Sequence, residues 1–282
     1  MVSQPSAPQV WAVVLNYQGR EVIADCLQSL RQQDYPNLHI LVVDNASTDG
    51  SDKIAANIKG IELIRNESNL LFAGGNNVGI RKAYESDADY VVLINNDTTS
   101  DPGLISELVK ALEADSNAGI AGPRIFYYER PVIIWSAGGT IDFAKGWVRH
   151  RGIRQKDDGQ FDEIAEVDYV TGCCLMFSRD VFQAIGGLDE SFPMYFEDTD
   201  FCTRARKAGF KVLYVPVAKM WHKISFSSGG EFSWRKISRR MKAGWKFFRR
   251  HSSAAQLIFM PFWQVVEFIR AGWVAVMNRQ GS

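Results

Sequence analysis

The sequence predicts an α/β fold with a Rossmann-like, mostly parallel central sheet, flanking helices and a helical C-terminal appendage. Short apolar, β-branched runs typical of buried strands recur early in the chain, at Val10–Asn16, Leu38–Val43 and Ile61–Arg65. Apolar residues at helical spacing separate these runs, as in Glu21–Gln33. A fourth strand-like run begins at Tyr90 and ends abruptly in the polar triplet Asn95-Asn96-Asp97. Strands that alternate with helices in this way indicate a parallel, doubly wound half.

The polar residues at the ends of the predicted strands are expected at one edge of the sheet. Right-handed crossovers bring the strand tips carrying Asn16, Asp44 and Asp97 together, and open α/β sheets bind their ligands at that edge. Asp97 lies in a short predicted loop before a helix that begins at Asp101-Pro102, with Asp as N-cap and Pro at the first helical position. Its carboxylate is therefore free to bind a cation.

The second half of the chain predicts further strands, a polar loop and two helices. The strands are expected over Ile120–Tyr128, Ile133–Ile141, Trp147–Arg151, Tyr169–Ser178 and Phe210–Val215, the last of them broken by Pro216. The polar segment Gly152–Glu166 is predicted to be a mobile loop. One helix is expected to begin at Arg179-Asp180, and another to run from Glu197-Asp198 to Ala208 and end at Gly209.

Residues 231–282 differ in character from the rest of the chain. Eight Lys and Arg residues and no acid lie between Arg235 and Arg250, interleaved with apolar residues at spacings of three and four, which predicts a basic amphipathic helix. The apolar segment that follows contains Pro261, Glu267 and Arg270, so it lacks the run of about twenty apolar residues that a membrane span needs. We expect peripheral membrane contact through 231–282. Packing on the same domain and formation of a homodimer are the alternatives.

Composition bounds the remaining possibilities. The chain has 282 residues, of which 46% are hydrophobic and 23% charged, and this suits one large α/β domain or one domain with an appendage. Its net charge of zero argues against a nucleic-acid partner. The four cysteines (Cys26, Cys173, Cys174 and Cys202) show no metal-binding spacing and are expected to be reduced thiols in a cytoplasmic protein. The N-terminus lacks a basic-then-apolar pattern, so we do not expect export.

Several motifs occur in an order that resembles glycosyltransferase family 2, in particular its rhamnosyltransferase-like and galactofuranosyltransferase-like branch. They are VWAVVLNYQG, LVVDNASTDGS, NLLFAGGNNVG, LINND, TGCCLMFS, YFEDTDFCTRARKAGF and WH at 221–222. The resemblance covers Val10–Phe226 and implies a GT-A type fold that joins a nucleotide-binding half to an acceptor-binding half. We accordingly expect a tail at 1–9, a catalytic domain at 10–230, divided at 100/101, and a separate C-terminal region at 231–282.

The resemblance also implies a divalent cation, Mn²⁺ or Mg²⁺, that holds the diphosphate of a nucleotide-sugar donor. The family's acidic triplet is here Asn95-Asn96-Asp97, in which only Asp97 is an anionic ligand. His222 is the candidate second ligand, since some relatives place a metal-binding histidine after the final strand. An imidazole ligand favours Mn²⁺ over Mg²⁺. One carboxylate, one imidazole, the diphosphate and water would together suffice for such a cation.

The donor-binding residues are expected at the strand tips and in the glycine-rich segment. By resemblance, Asp44 accepts a hydrogen bond from the imide N–H of uracil or thymine, and capping of the next helix is its alternative or additional role. The other candidates are Asn16 and Tyr17 beside the base, Asn45, Ser47, Asn95 and Asn96 at the tips, and Gly74, Gly75 and Asn77 in a loop before a helix near Val78. Glycines in such a loop would let backbone amides approach a sugar or a phosphate closely.

Glu197 and Asp198 are the candidate catalytic carboxylates. Inverting transfer needs a base that takes the proton of the acceptor hydroxyl, and Asp198 matches the second position of the family's acidic pair. Glu197 and Asp200 are expected to hold neighbouring groups or to cap the helix. Arg204 follows Asp200 by four residues, which predicts an ion pair on one helix face.

The expected function is transfer of a sugar from a UDP- or dTDP-sugar, with dTDP-rhamnose favoured, to a glycan or lipid-linked acceptor in cell-surface polysaccharide synthesis. The expected location is the inner face of the cytoplasmic membrane. Two alternatives remain. Loss of the first acid from the triplet is compatible with an inactive nucleotide-sugar-binding or scaffold subunit. A metal-dependent nucleotidyltransferase would carry a basic, glycine-rich signature after the first strand, and Tyr17-Gln18-Gly19-Arg20 fits this poorly.

Overall fold

A central mixed sheet forms the framework of the protein in the computed structural model, which describes residues 7–192, 194–223 and 234–262. Its strands are β1 (Val10–Asn16), β2 (Leu38–Asp44), β3 (Ile61–Arg65), β4 (Tyr90–Asn95), β5 (Thr98–Ser100), β6 (Ala118–Tyr127), β7 (Arg130–Ser136), β10 (Ala165–Glu166), β11 (Cys174–Ser178) and β12 (Lys211–His222). The order along the sheet is β10-β12-β6-β11-β4-β1-β2-β3, with β5 paired to β12 and β7 to β6. A separate hairpin pairs β8 (Gly139–Asp142) with β9 (Trp147–His150).

Helices cover both faces of the sheet. They are α1 (Ile23–Arg31), α2 (Ser51–Ala56), α3 (Leu71–Glu85), α4 (Leu104–Glu113), α5 (Arg179–Ile185), α6 (Glu197–Lys207) and α7 (Trp234–His251). A further helical segment follows at 254–262. Two large hydrophobic clusters lie on opposite sides of the central strands, because successive strand residues point to opposite faces.

The parallel half that the sequence predicts is confirmed. Strands β3, β2, β1 and β4 are neighbours in that order and all parallel. Their register places Asn16 opposite Asp44 and Leu15 opposite Asn95. The polar residues at the carboxyl ends of these strands therefore meet at one edge, as expected.

The second half extends the same sheet. Strand β11 lies antiparallel between β4 and β6, and β12 runs parallel to β6. The prediction that Pro216 ends the last strand is wrong, because β12 continues to His222 through a register shift between Val215 and Lys219. A bulge of this kind accommodates a residue that cannot donate a ladder hydrogen bond. The extra strand length carries His222 to the edge where Asp97 lies.

The glycine-rich segment is helical, so the predicted loop before Val78 is wrong. Helix α3 begins at Leu71, and Gly74, Gly75 and Asn77 lie in its first turns. A Cβ atom on Gly75 would collide with Leu15 and Asn45, and one on Gly79 would collide with Val13. These glycines lie four residues apart on one helix face, and their lack of side chains lets α3 approach strands β1 and β2 closely.

The segment Gly152–Glu166, predicted to be a mobile loop, is tied to the sheet. The guanidinium of Arg124, in β6, donates to Asp157 at 2.5 Å and to the carbonyl oxygen of Phe161 at 2.8 Å. Arg124 is buried, and burial of a guanidinium requires such partners. The end of the segment forms β10, which pairs with β12.

Helix α7 packs on the sheet domain. Phe247 and Phe248 are buried in a third cluster with Phe192 and Met260, and the ring of Phe196 lies 5.4 Å from that of Phe247. One of the alternatives considered for this region, packing on the same domain, thus holds for α7. None of the helices in residues 7–192, 194–223 and 234–262 combines the length and hydropathy that a membrane span requires.

The two faces of α7 give a direct test of this packing. Replacement of the buried Phe247 by alanine should lower the free energy of unfolding by about 3–5 kcal/mol, because it leaves a cavity between α7 and the sheet domain. Replacement of Trp245, which is 49% exposed on the other face, should cost less than about 1 kcal/mol. Urea unfolding measures both values. Equal midpoints for the two variants would contradict the packing of α7.

Candidate functional site

A buried amide connects the tips of the three central parallel strands. The Nδ2 group of Asn16 donates to Asp44 Oδ1 at 2.7 Å and to Ser51 Oγ at 2.8 Å. Its Oδ1 atom accepts from Asn96 Nδ2 at 2.8 Å. Asn16 is completely buried, so its donors and acceptor must be satisfied within the protein. The network fixes the relative positions of β1, β2 and the residues that follow β4.

The candidate base-binding residues surround this network. Asp44 is 2% exposed, and its Oδ2 accepts from the backbone N–H of Ser47 at 2.9 Å. Ser47 Oγ in turn accepts from the backbone N–H of Gln18 at 3.0 Å, which shapes the turn after β1. Tyr17 is 44% exposed beside this turn. Asp44 does not cap helix α2, which begins at Ser51 and has Gly50 at its N-cap position. Its bond to the N–H of Ser47 instead stabilises the loop before that helix.

Other predicted donor-binding residues form links within the protein. Asn45 donates to the carbonyl oxygen of Leu71 at 3.0 Å and so joins the tip of β2 to the start of α3. Asn77 donates to the carbonyl oxygen of Leu188 at 2.9 Å and accepts from its N–H. Gly74 lies in the helix, where the nearest atoms to an added Cβ belong to Leu70 and Glu190. A donor contact by these residues stays a prediction.

Asp97 and His222 come together because β5 pairs with β12. Thr98 lies opposite His222, and the backbone N–H of Lys223 donates to the carbonyl oxygen of Asp97 at 2.8 Å. His222 Nε2 then lies 3.1 Å from Asp97 Oδ1, without the geometry of a hydrogen bond. Both side chains are buried. Their convergence could not be read from residues so far apart in the sequence, except through the family resemblance.

These two residues fit a divalent cation. Asp97 Oδ1 is buried and has no hydrogen-bond partner within the described residues, although buried polar atoms normally have one. Adjacent ligands of an octahedral cation, each at about 2.1 Å, lie about 3 Å apart, which agrees with the observed 3.1 Å. No group of three or more His, Cys, Asp or Glu ligands occurs among the described residues. Asp97 and His222 would therefore share a cation with phosphate oxygens and water.

Asp198 is connected to the same edge through two consecutive residues of the segment before β11. The carbonyl oxygen of Cys173 accepts from the backbone N–H of Asn95 at 3.0 Å. The N–H of Gly172 donates to Asp198 Oδ2 at 2.8 Å. Asp198 Oδ1 accepts from the N–H of Thr199 at 2.6 Å. Hydrogen bonds from N–H groups stabilise a carboxylate, and Gly172 is a functional neighbour that the sequence analysis did not identify.

Glu197, the other member of the acidic pair, is in a different environment. Burial, reinforced by the charge of Asp198, raises the pKa of Glu197 to about 8. Its Oε2 atom is buried without a hydrogen-bond partner in the described part of the chain. At neutral pH, Glu197 is therefore mainly protonated.

Asp200 links helix α6 to helix α7. Its completely buried carboxylate accepts from Arg204 Nε at 2.7 Å, which confirms the predicted ion pair. His251 Nε2, at the end of α7, lies 2.8 Å from Asp200 Oδ1, and Arg250 lies 3.3 Å from the same atom. Burial alone would raise the pKa of Asp200, but the hydrogen bonds from His251 and Arg204 hold it below its ordinary value.

Two aromatic residues that sequence reasoning did not single out lie against the site. The ring of Trp135, in β7, is 4.7 Å from the ring of His222 and 4.9 Å from that of His150, in β9. Burial lowers the pKa of His150 to about 4; the charge of Asp198 opposes this shift, and that of Arg240, in α7, adds to it. No local pattern marks these residues, because their proximity arises from pairing between distant segments.

Comparison with known proteins gives the family. The profile described as Glycosyl transferase family 2 matches residues 11–186, and one described as N-terminal domain of galactosyltransferase matches 160–225. The chain is 29% identical over 209 residues to the N-acetylglucosaminyl-diphospho-decaprenol L-rhamnosyltransferase of Mycobacterium tuberculosis, covering 67% of this chain and 68% of that one. It is 26% identical to the dTDP-rhamnosyl transferase RfbF of Shigella flexneri, covering 78% and 70%.

The match to this chain covers a different share of each relative's length. The low-salt glycan biosynthesis hexosyltransferase Agl10 of Haloferax volcanii is 29% identical over 214 residues, which cover 75% of this chain and 66% of that protein. The match to the uncharacterized protein y4gI of Sinorhizobium fredii spans 75% of this chain and only 24% of that protein, at 27% identity. The chain thus spans about a quarter of one relative and about two thirds of the others.

Solved structures share the fold. The mannosyltransferase PcManGT of Pyrobaculum calidifontis, solved with GDP-Man and Mn²⁺, has a TM-score of 0.66 at 18% identity and covers 98% of this chain and 80% of its own. GalNAc-T7, solved with UDP, GalNAc and Mn²⁺, has a TM-score of 0.64 at 14% identity and covers 85% and 48%. These neighbours are glycosyltransferases of the GT-A fold, and this chain has that fold. Because the family profile matches more than half of its length, the chain belongs to glycosyl transferase family 2.

Proposed function

We propose that the protein is a metal-dependent, inverting glycosyltransferase that moves a sugar from a UDP- or dTDP-sugar to a glycan or lipid-linked acceptor in cell-surface polysaccharide synthesis. One observation carries this proposal: Asp97 and His222 lie 3.1 Å apart at the strand edge to which Gly172 and Cys173 also connect Asp198. A site for a diphosphate-bound cation and a candidate base thus share one edge. The two relatives named as rhamnosyltransferases favour dTDP-rhamnose as the donor.

The strand tips of β1 and β2 would bind the nucleotide. Both oxygens of Asp44 already accept hydrogen bonds, but each carboxylate oxygen has a second lone pair. An imide N–H could use one of these, and uracil and thymine have that group whereas cytosine does not. The exposed ring of Tyr17 is available to lie against the base. Asn16 and Ser47 would hold Asp44 in position.

Asp97 and His222 would hold a divalent cation together with the donor diphosphate. When bound, the cation neutralises negative charge that develops on the departing nucleotide diphosphate. The imidazole ligand favours Mn²⁺ over Mg²⁺, and two structural neighbours were solved with Mn²⁺. Asn95 and Asn96 complete the triplet without adding charge. Asn96 is committed to Asn16 through its amide, so it would act by positioning Asp97.

Asp198 is the proposed general base. It would take the proton of the acceptor hydroxyl while that hydroxyl attacks the sugar carbon from the side opposite the nucleotide. Burial raises the pKa of Glu197 to about 8, so its protonated form predominates at neutral pH, and we assign the role of base to Asp198. Its position in the first turn of α6, next to Asp198, suits a positioning role. The hydrogen bonds from Gly172 and Thr199 keep the Asp198 carboxylate in place.

An exposed surface formed by α7 and the helical segment 254–262, here called the tail surface, would bind the membrane that carries lipid-linked acceptors. Its exposed apolar residues are Met241, Trp245, Ile258, Phe259 and Phe262. Its exposed basic residues include Arg239, Lys242 and Arg249. Apolar side chains beside cations are typical of helices that lie in a bilayer interface. We therefore propose that the enzyme works at the inner face of the cytoplasmic membrane.

The protonation of Glu197 predicts how stability depends on pH. Glu197 binds a proton more tightly in the folded protein, where its pKa is about 8, than in the unfolded chain, where it is about 4.5. Its contribution to stability therefore falls as pH rises from 4.5 to 8. Glutamine cannot ionise, so the Glu197→Gln variant should lack this loss. Between pH 5 and pH 8.5, its free energy of unfolding should therefore rise relative to that of wild type by an amount on the order of a few kcal/mol.

Urea unfolding of wild type and variant at both pH values measures this difference. The exposed Glu67, replaced in the same way, is the control, and its variant should follow wild type at both pH values. The contradicting result is a difference in unfolding free energy between Glu197→Gln and wild type that is the same at pH 5 and at pH 8.5. Glu197 would then be ionised in the folded protein, and the choice of Asp198 as base would lose its support.

Two asparagine substitutions separate cation binding from base catalysis. Asp97→Asn should weaken Mn²⁺-dependent binding of UDP or dTDP and abolish turnover, because it removes the anionic ligand. Asp198→Asn should leave nucleotide binding unchanged and lower transfer by at least about a hundredfold. Calorimetry with and without EDTA measures binding, and release of nucleotide from a panel of UDP- and dTDP-sugars measures turnover.

The almost fully exposed Asp87 is the control for these substitutions, and Asp87→Asn should behave as wild type. Turnover that survives excess chelator would contradict the role of the cation. An active Asp198→Asn beside an inactive Glu197→Gln would transfer the role of base to Glu197. Nucleotide binding without turnover of any donor in the panel would favour the scaffold alternative over the enzyme.

Membrane contact is tested by serine substitutions on the tail surface. Trp245, Ile258 and Phe259, changed together to serine, should lose most vesicle binding in flotation with phosphatidylglycerol-containing vesicles, because salt-resistant apolar burial is removed. Wild-type binding should weaken with salt but persist in part, since each basic residue near anionic lipid contributes about 1 kcal/mol. The exposed Val132 and Val217, changed to serine, are the control. Failure of wild type to float would overturn the proposal.

A further inference from the structure

His150 is held in place by the hairpin that carries it. In the β8–β9 hairpin, Gly139 pairs with His150. Gly139 also bridges to Tyr169, with its N–H donating to the carbonyl oxygen of Tyr169 at 2.9 Å. A Cβ atom on Gly139 would collide with the Tyr169 ring, so only glycine permits this approach. The backbone therefore fixes the imidazole of His150 beside the phenol of Tyr169, whose ring centroid is 5.6 Å away.

This imidazole lies between the two ends of the proposed active site. On one side, Trp135 contacts both His150 and His222, and His222 adjoins Asp97. On the other side lies Tyr169. It is three residues before Gly172, whose N–H donates to Asp198 Oδ2. The transferred sugar must occupy this interval, because its reacting carbon is bonded to the diphosphate on one side and attacked by the acceptor hydroxyl on the other.

One nitrogen of His150 is used within the protein and the other is not. Ser136 Oγ lies 3.1 Å from Nδ1, and Tyr169 OH lies 3.4 Å from it. Ser136 gives its own proton to the carbonyl oxygen of Gly138 at 3.3 Å, so its oxygen can accept from Nδ1–H, and Nε2 then carries a lone pair. If Tyr169 OH donates to Nδ1 instead, Nε2 carries the proton. Nε2 has no hydrogen-bond partner in the part of the chain that the structure describes, and the side chain is only partly buried.

We propose that His150 Nε2 forms a hydrogen bond with a sugar hydroxyl in the active site, with Trp135 as the apolar wall beside it. A neutral imidazole next to an indole suits a saccharide, which presents hydroxyl groups and apolar C–H faces. The assignment rests on the proposed glycosyl transfer and adds a substrate-contacting residue to it. The hydroxyl belongs to the donor sugar or to the acceptor sugar, since both meet in this interval.

Two substitutions of His150 test the contact. Asparagine keeps an amide near the position of Nδ1, toward Ser136, but removes the Nε2 atom, whereas glutamine places an amide near Nε2. His150→Asn should bind UDP or dTDP with Mn²⁺ as wild type does, while its affinity or KM for the sugar-bearing substrate worsens about tenfold. His150→Gln should recover most of this loss. His39→Asn, an exposed histidine on β2, is the control.

Two measurements, binding of the nucleotide sugar in one arm and the KM for the acceptor in the other, identify which sugar His150 contacts. A tenfold loss confined to binding of the nucleotide sugar assigns the hydroxyl to the donor. A loss confined to the KM for a short-chain N-acetylglucosaminyl-diphospho-prenol assigns it to the acceptor. In the affected arm, a monodeoxy substrate lacking the contacted hydroxyl should bind wild type and His150→Asn equally. This comparison does not depend on how far the asparagine variant is destabilised.

Failure of the His150 contact and failure of the proposed glycosyl transfer give different results in these measurements. If wild type binds neither nucleotide, the proposed transfer is wrong, and the assignment of His150 is overturned with it. If wild type binds and turns over substrate while His150→Asn matches it in both arms, only the His150 contact is wrong. If both variants lose nucleotide binding as well, His150 supports the fold of the site and does not contact the sugar.

Discussion

The sheet edge that carries the candidate site depends on the buried side chain of Asn16. Strand β1 lies between β2 and β4, so its tip is the one place from which a single side chain can reach both neighbours. Asn16 uses that position to bind Asp44 on one side and Asn96 on the other. Asp97 follows Asn96 directly, and the next residues pair with β12. The candidate base-binding residues at the strand tips and the candidate cation ligands are therefore connected through Asn16.

The parallel half and the acidic start of α6 could be predicted from sequence because their signals are local. Apolar runs mark the strands, and a spacing of four joins Asp200 to Arg204. The start of α3 could not be predicted, since its glycines and asparagines have low helix propensity and the helix is stabilised by close packing of Gly75 on β1 and β2. His150 was missed because long-range strand pairing places it in the site.

The C-terminal region packs more closely on the rest of the protein than its composition suggests. A basic amphipathic pattern is compatible with a free membrane-binding helix, yet one face of α7 completes a core with Phe192 and Phe196. The end of α7 also reaches the carboxylate of Asp200, two residues beyond the proposed base. The same helix thus packs on Phe192 and Phe196 with one face and presents Trp245 and Met241 outward with the other.

The link between Asp200 and His251 has a consequence for biosynthesis. The two residues lie 51 positions apart in the chain, and at about 5–20 residues per second a ribosome needs roughly 3–10 s to add the second after the first. During that interval α6 lacks the imidazole and the aromatic core that α7 provides. The nascent sheet can assemble first, from strands that are already made, but the helix bearing the acidic pair reaches its final environment only after α7 has been synthesised. A newly made chain therefore passes through a period in which the sheet edge exists but the acidic pair is not yet held in its final position.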